Sequence, residues 1–160
     1  MREIKFRGYD LYSESWVYGA YIKHIDSTPC LFTSKEEEEK WYKEHTKHLI
    51  VFDGFSDWWM PRGIDVCTSI VPDSIGQSTG LFDVNKKEIF EGDFIKFSSE
   101  TIDDECFNNR VGKVVFENCA FWLNFSDVSL PLWSGQMDKY VVVGNIYENP
   151  EIEVKDEIVE

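Results

Sequence analysis

"IGQSTGLFDVNKKEIFEGDFIKF", Ile75 to Phe97, is the stretch on which the reading of the fold turns. It sets acidic residues, lysines and glycines between apolar side chains, with a Thr79-Gly80 pair near its start. Such a mixture can line an active-site loop, or it can supply the turns of a strand meander. Residue by residue it reads as the second. Thr79-Gly80-Leu81-Phe82 is a strand end. Asp83-Val84-Asn85-Lys86 puts Asp and Asn where side-chain oxygens bond nearby backbone amides. Glu88-Ile89-Phe90 returns, and Glu91-Gly92-Asp93 makes a second turn into "FIKF", its glycine supplying a backbone angle that other residues resist. Two chemical readings compete. Asp83, Asn85 and Glu88 resemble a calcium loop, but that loop needs an oxygen donor and then a glycine where Lys87 and Glu88 stand. Glu88, Glu91 and Asp93 could act as paired catalytic carboxylates. Carboxylates in turns are usually solvated, and this spacing does not set two of them across a substrate.

Downstream the strand pattern continues. "DFIKFSS", "VGKVVFE", "AFWLNF" and "YVVVGNIY" are short apolar runs bounded by Gly, Asn or Asp, with the polar "ETIDDECFNNR" after the first. This spacing predicts a small SH3-like antiparallel barrel over 76–150 and an acidic tail over 151–160. Upstream, "REIKFRGYD" alternates, with Ile4, Phe6 and Gly8 on one side and Glu3, Lys5 and Arg7 on the other. Joined by "LYSES" to "ESWVYGAYIKHI", it predicts an N-terminal β-hairpin. "TSKEEEEKWYKEHTKHL" differs. Thr33 or Ser34 can cap a helix, and glutamates precede lysines at helical spacing, so a short helical insertion is expected at about 34–48 of a β-rich region 1–75. The fold class is mainly β, a β-rich α+β chain.

Composition agrees. Of 160 residues, 16% are aromatic, six of them tryptophan, and aromatics favour strands. Thirty acidic against sixteen basic residues give a net charge of −14, and residues 99–160 carry −9 of it. A surface of that sign repels phosphate backbones, so no direct binding of duplex nucleic acid is expected. Cys30, Cys67, Cys106 and Cys119 form no C-x-x-C pair, so neither a zinc ribbon nor a redox dithiol has local support. The charged start "MREIKFRGYD" lacks the apolar run of a signal peptide, and no window approaches a membrane span. A cytoplasmic protein with reduced thiols is the expectation.

Three blocks also resemble a known family. "REIKFRGYD", the Ile75–Phe97 stretch and "VVVGNIYENPE" look like the opening, core and close of the YopX family of phage and prophage proteins, in that order. The resemblance implies a protein of mobile elements working in a bacterial host cytoplasm. It brings no catalytic residues and no cofactor. The matching residues Thr79, Gly80, Asp83, Asn85, Glu88, Glu91, Gly92 and Asp93 suit turns and strand pairing rather than chemistry.

Other constellations give little. His45 and His48, three apart on the expected helix, could share zinc, but no third ligand is identifiable, so no metal site is assigned. Neither a nucleophile elbow nor a phosphate loop is present. "FSDWWMPRG" is the best candidate surface: Trp58, Trp59 and Met60 either plug the core or anchor a protein partner. The expected function is therefore non-enzymatic, through a protein partner or self-association. The alternative is an acidic decoy in which residues 99–160 imitate phosphate and inhibit a host nucleic-acid-binding protein. A hydrolase or nuclease with an unrecognised site is the weaker alternative.

Overall fold

The structure is a computed structural model describing residues 3–29, 31–54, 63–98 and 107–152. It is mainly β, with its strands in antiparallel sheets. The chain divides into two compact units, Lys5–Ile75 and Gly76–Glu160, the latter including Met1–Ile4.

In the Lys5–Ile75 unit, β1 (Phe6–Asp10) and β2 (Ser15–Ile25) form the N-terminal hairpin, with Phe6 opposite Gly19 and Asp10 opposite Ser15. Asp10 closes its turn. Its carboxylate accepts the Tyr12 and Ser13 amides, each at 3.1 Å, and the Ser13 hydroxyl at 2.7 Å. The Ser69 hydroxyl also donates to it. Ser69 and Ser13, helped by the two amides, hold this carboxyl far below the usual carboxylate range. The outer half of β2 pairs with β3 (Thr46–Asp53), and β3 pairs with β4 (Ile64–Cys67), giving the order β4-β3-β2-β1 within the unit.

Helix α1 (Lys35–His45) precedes β3. Ser34 is its N-cap, accepting the Glu37 amide at 3.2 Å, while the Glu37 carboxylate reaches back to the Thr33 amide and hydroxyl. The helix is shorter than expected. At Thr46 the backbone turns extended, because this β-branched residue opens the strand that carries the apolar run "LIVF" and pairs with β2. His48 consequently lies on β3, not on the helix. No residue of α1 is buried; Phe32, Trp41, Tyr42 and His45 stack on one another at its surface.

The Gly76–Glu160 unit holds the hairpin of β5 (Gly76–Phe82) and β6 (Glu88–Phe90). Its remaining strands are β7 (Asp93–Phe97), β8 (Val111–Glu117), β9 (Ala120–Asn124), β10 (Ser129–Pro131) and β11 (Tyr140–Asn145). They form a five-stranded sheet ordered β10-β9-β8-β7-β11. Ile95, Phe97, Val114, Leu123, Phe125 and Tyr140 project from one face and, with Ile89, make a buried core. Each such side chain stabilises by roughly 1.5–3 kcal/mol. The expected SH3-like barrel is not formed, because β10 and β11 remain separate edges. Closure needs both edges to offer free backbone groups. The hairpin turn after β5 occupies the outer edge of β11, and β10 is three residues long and ends in proline.

Candidate interaction surface

Within the central motif, backbone groups are the chief partners of the polar side chains. Asp83 is buried; its carboxylate accepts the amides of Asn85 and Lys87, both at 2.8 Å, and that of Val142 at 3.1 Å. The Val84 amide then donates to the Tyr140 carbonyl, so this one turn covers the outward groups of β11. Thr79 donates to the Ile89 carbonyl and accepts the Leu81 amide. Ser78 donates to Glu88 at 2.6 Å. Asp93, nearly inaccessible, accepts the Phe90 amide across the turn that carries Glu91. Gly80 and Gly92 have φ of +75° and +83°, the left-handed region that glycine enters without strain. Asn145 repeats the device in the closing block, accepting the Tyr147 and Glu148 amides.

The histidines separate. His48 stacks on Tyr21 and its Nδ1 meets the Tyr21 hydroxyl at 2.8 Å, whereas His45 Nδ1 meets Asp26 at 2.9 Å and its ring lies on Trp41. Among the described residues, no three His, Cys, Asp or Glu side chains are grouped as a metal site. Trp58, Trp59 and Met60 lie outside the described residues.

A different surface emerges from the register of the Lys5–Ile75 strands. Residues directly opposite across a ladder share a face, as do alternate residues along a strand. Ala20, Val51 and Val66 are cross-strand partners, as are Ile22 and Leu49, so Tyr18, Ile22, Leu49, Val51, Ile64 and Val66 line one face. Ile50 points to the opposite face and is fully buried. On the first face Tyr18 and Ile22 are exposed, Ile64 is 75% and Val66 50% exposed, and Leu49 and Val51 are half-buried. Apolar residues in a contiguous exposed row mark a contact surface.

The same face ends at an open edge. Strand β4 is terminal in its sheet, and among the described residues its outward amides and carbonyls have no partner. It contains no proline, lysine or bulge, three of the features that blunt an edge; its single charge is Asp65, on the opposite face from Val66. The contrast with β10 and β11 is direct: there proline and the Asp83 turn occupy the position. Sequence reasoning missed Tyr18, Ile22, Ile64 and Val66. Their period-two pattern was visible, but alternation tells which residues share a face, not which face is left uncovered.

These features define a mainly β protein of open antiparallel sheets, with the motif's Asp83 and Asp93 carboxylates bound to backbone and one exposed apolar face. The YopX protein family matches residues 5–152, and the chain belongs to it. In fold it is similar to protein EF1440 from Enterococcus faecalis, at a TM-score of 0.51 and 23% identity, covering 93% of this chain and 96% of that one. Comparison with curated proteins gives no match. No helix among the described residues is long and apolar enough to cross a membrane.

Proposed function

We propose that this chain is a non-enzymatic accessory protein of phage or prophage type that acts in the bacterial cytoplasm through protein–protein contacts. The observation that supports this reading is the exposed apolar row on β2, β3 and β4 beside a strand edge that no described residue covers. Apolar side chains at the centre of a contact carry much of its affinity, and a free edge adds backbone hydrogen bonds. The Asp83 and Asp93 carboxylates of the motif, by contrast, already accept backbone amides, which leaves them poorly disposed for proton transfer to a substrate.

Affinity capture from a bacterial lysate, with the wild type and an Ile22→Glu variant as baits, tests the reading. The wild type is expected to retain a protein that Ile22→Glu loses, and to retain it as salt is raised. A contact made instead through the acidic residues of 99–160 weakens steeply over the same salt range and ignores Ile22. Identical captures by both baits would remove the apolar face from the function.

A further inference from the structure

We infer that the partner accepted by the edge of β4 is a second copy of this chain, its own β4 running antiparallel across a two-fold axis at Val66. The inference rests on the reading of this surface as a protein contact and gives it a specific occupant.

Three observations carry it. The first is the chemistry of the edge. A row of outward amides and carbonyls is satisfied in full only by another extended backbone, and β4 presents such a row with no proline, lysine, bulge or covering strand among the described residues. Evenness of treatment would leave all edges open or all guarded. Here proline and the Asp83 turn occupy the edges of the five-stranded sheet, while among the described residues nothing occupies that of β4.

The second is self-complementarity. Two identical antiparallel strands related by a two-fold axis normal to the sheet must match face to face, so only residues of the same face lie opposite each other. Two of the registers that do so pair three of the four β4 residues with β4 of the second copy. One places Asp65 against the Asp65 of the second copy, and like charges directly opposite are unfavourable. The other places Val66 against its own counterpart, Ile64 against Thr68, and Asp65 against Cys67. That register avoids the carboxylate clash and makes the exposed apolar rows of both copies one continuous face.

The third is local charge. A chain of net charge −14 resists its own copy unless the contact is away from its acids. On the face that bears Val66, the charged residues of β2, β3 and β4 are Lys47 and Asp53, with Lys5 beside Tyr18 and Arg7 opposite it. The acid of the pairing strand itself, Asp65, is on the opposite face, where this register sets it diagonal to its counterpart rather than directly opposite. What repulsion remains is long-range and screened by salt, so association should strengthen from low to moderate ionic strength. That is the opposite of the salt trend of an acidic decoy.

Light scattering across a protein concentration series at moderate salt tests the pairing. The wild type should pass from monomer to dimer with rising concentration, and Val66→Lys should weaken the dimer at least about tenfold, by placing two ammonium groups on the axis. Circular dichroism of Val66→Lys checks that its fold is kept, as half-exposure of Val66 leads one to expect. The register has its own readout. A Val66→Cys variant that also carries Cys67→Ser should oxidise to a disulfide-linked dimer, since opposite Cα atoms lie about 4.5–5.5 Å apart. Wild-type Cys67 should not link to its counterpart, because the predicted offset separates those Cα atoms by roughly 8 Å. A wild type that stays monomeric at every concentration overturns the inference, while Ile22-dependent capture of another protein would then leave the broader proposal standing. A dimer indifferent to Val66, or one cross-linked through Cys67, overturns it equally.

Discussion

A buried carboxylate away from solvent has to find donors, and Asp83 finds three backbone amides drawn from two distant parts of the chain. Two of them shape the turn between β5 and β6; the third, Val142, belongs to β11. Removing the side chain orphans all three in one place. Each buried unsatisfied amide costs about 1–3 kcal/mol, and because they share a site the costs do not simply add. Asp83→Ala should therefore destabilise the protein by about 3 kcal/mol in chemical denaturation, with Asp83→Asn intermediate because it keeps one acceptor oxygen. A loss under about 1 kcal/mol would mean that water replaces the carboxylate there. The turn between β8 and β9 predicts the reverse sign. Asn118 and Cys119 both have positive φ, 50° and 63°. Two such residues in a tight hairpin are the pattern that favours Asn-Gly. A side chain in that region costs about 1–2 kcal/mol, against about 0.5–1 kcal/mol for glycine's extra entropy. Cys119→Gly should stabilise by roughly 0.5 kcal/mol on the same measurement.

At the scale of elements, the contact between β2 and β3 makes stability depend on pH. Burial, and then the Lys23 ammonium, hold the His48 imidazole below its usual value of 6.5. Below pH 6.5 the unfolded chain therefore binds the proton more readily than the folded one, and stability falls as pH drops through that region toward the lowered folded value. Asp10 acts with the same sign further down: its stabilisation is present above the usual carboxylate value of 3.8 and is lost as pH falls below it. Thermal melting should therefore fall in two stages from neutral to strongly acidic pH. His48→Gln should flatten the first stage, and Asp10→Asn the second. NMR titration placing His48 at or above 6.5 would refute the assignment of the first.

Elements also show where sequence reading works and where it stops. The hairpin of β1 and β2 was legible because Phe6 and Gly8 alternate with Lys5 and Arg7, and the start of α1 was legible because Ser34 and Glu37 are local. The end of α1 was not, since Thr46 leaves the helix to pair with Ile25, a contact decided across the chain. The open sheet of the second unit was illegible for the same reason. Its short strands suit a barrel, but the amide that Asp83 takes from β11 lies 59 positions away. Of the candidate surface, Ile64 and Val66 sit in a four-residue strand whose exposure depends on what neighbours it lacks.

For the whole molecule, buried apolar mass is unevenly shared. The Gly76–Glu160 unit has seven buried apolar side chains in one cluster, among them Phe97, Leu123 and Tyr140. In the Lys5–Ile75 unit the buried apolar residues among those described are Ile50 and Ile70, and α1 has none. Local opening free energy follows buried contacts, so protection from hydrogen exchange should rank in the same way. Amides of β7, β8, β9 and β11 should exchange slowest, and those of α1 fastest. Strand β4 should exchange early in dilute protein, because among the described residues its outward amides have no backbone partner. It alone should gain protection as concentration rises, since pairing with a second β4 would bury those amides while leaving α1 unchanged. Hydrogen exchange read by mass spectrometry at two protein concentrations separates the effects. Protection of α1 equal to that of β8 would break the link drawn between burial and local stability, and β4 amides insensitive to concentration would count against the edge-to-edge dimer even if light scattering found one.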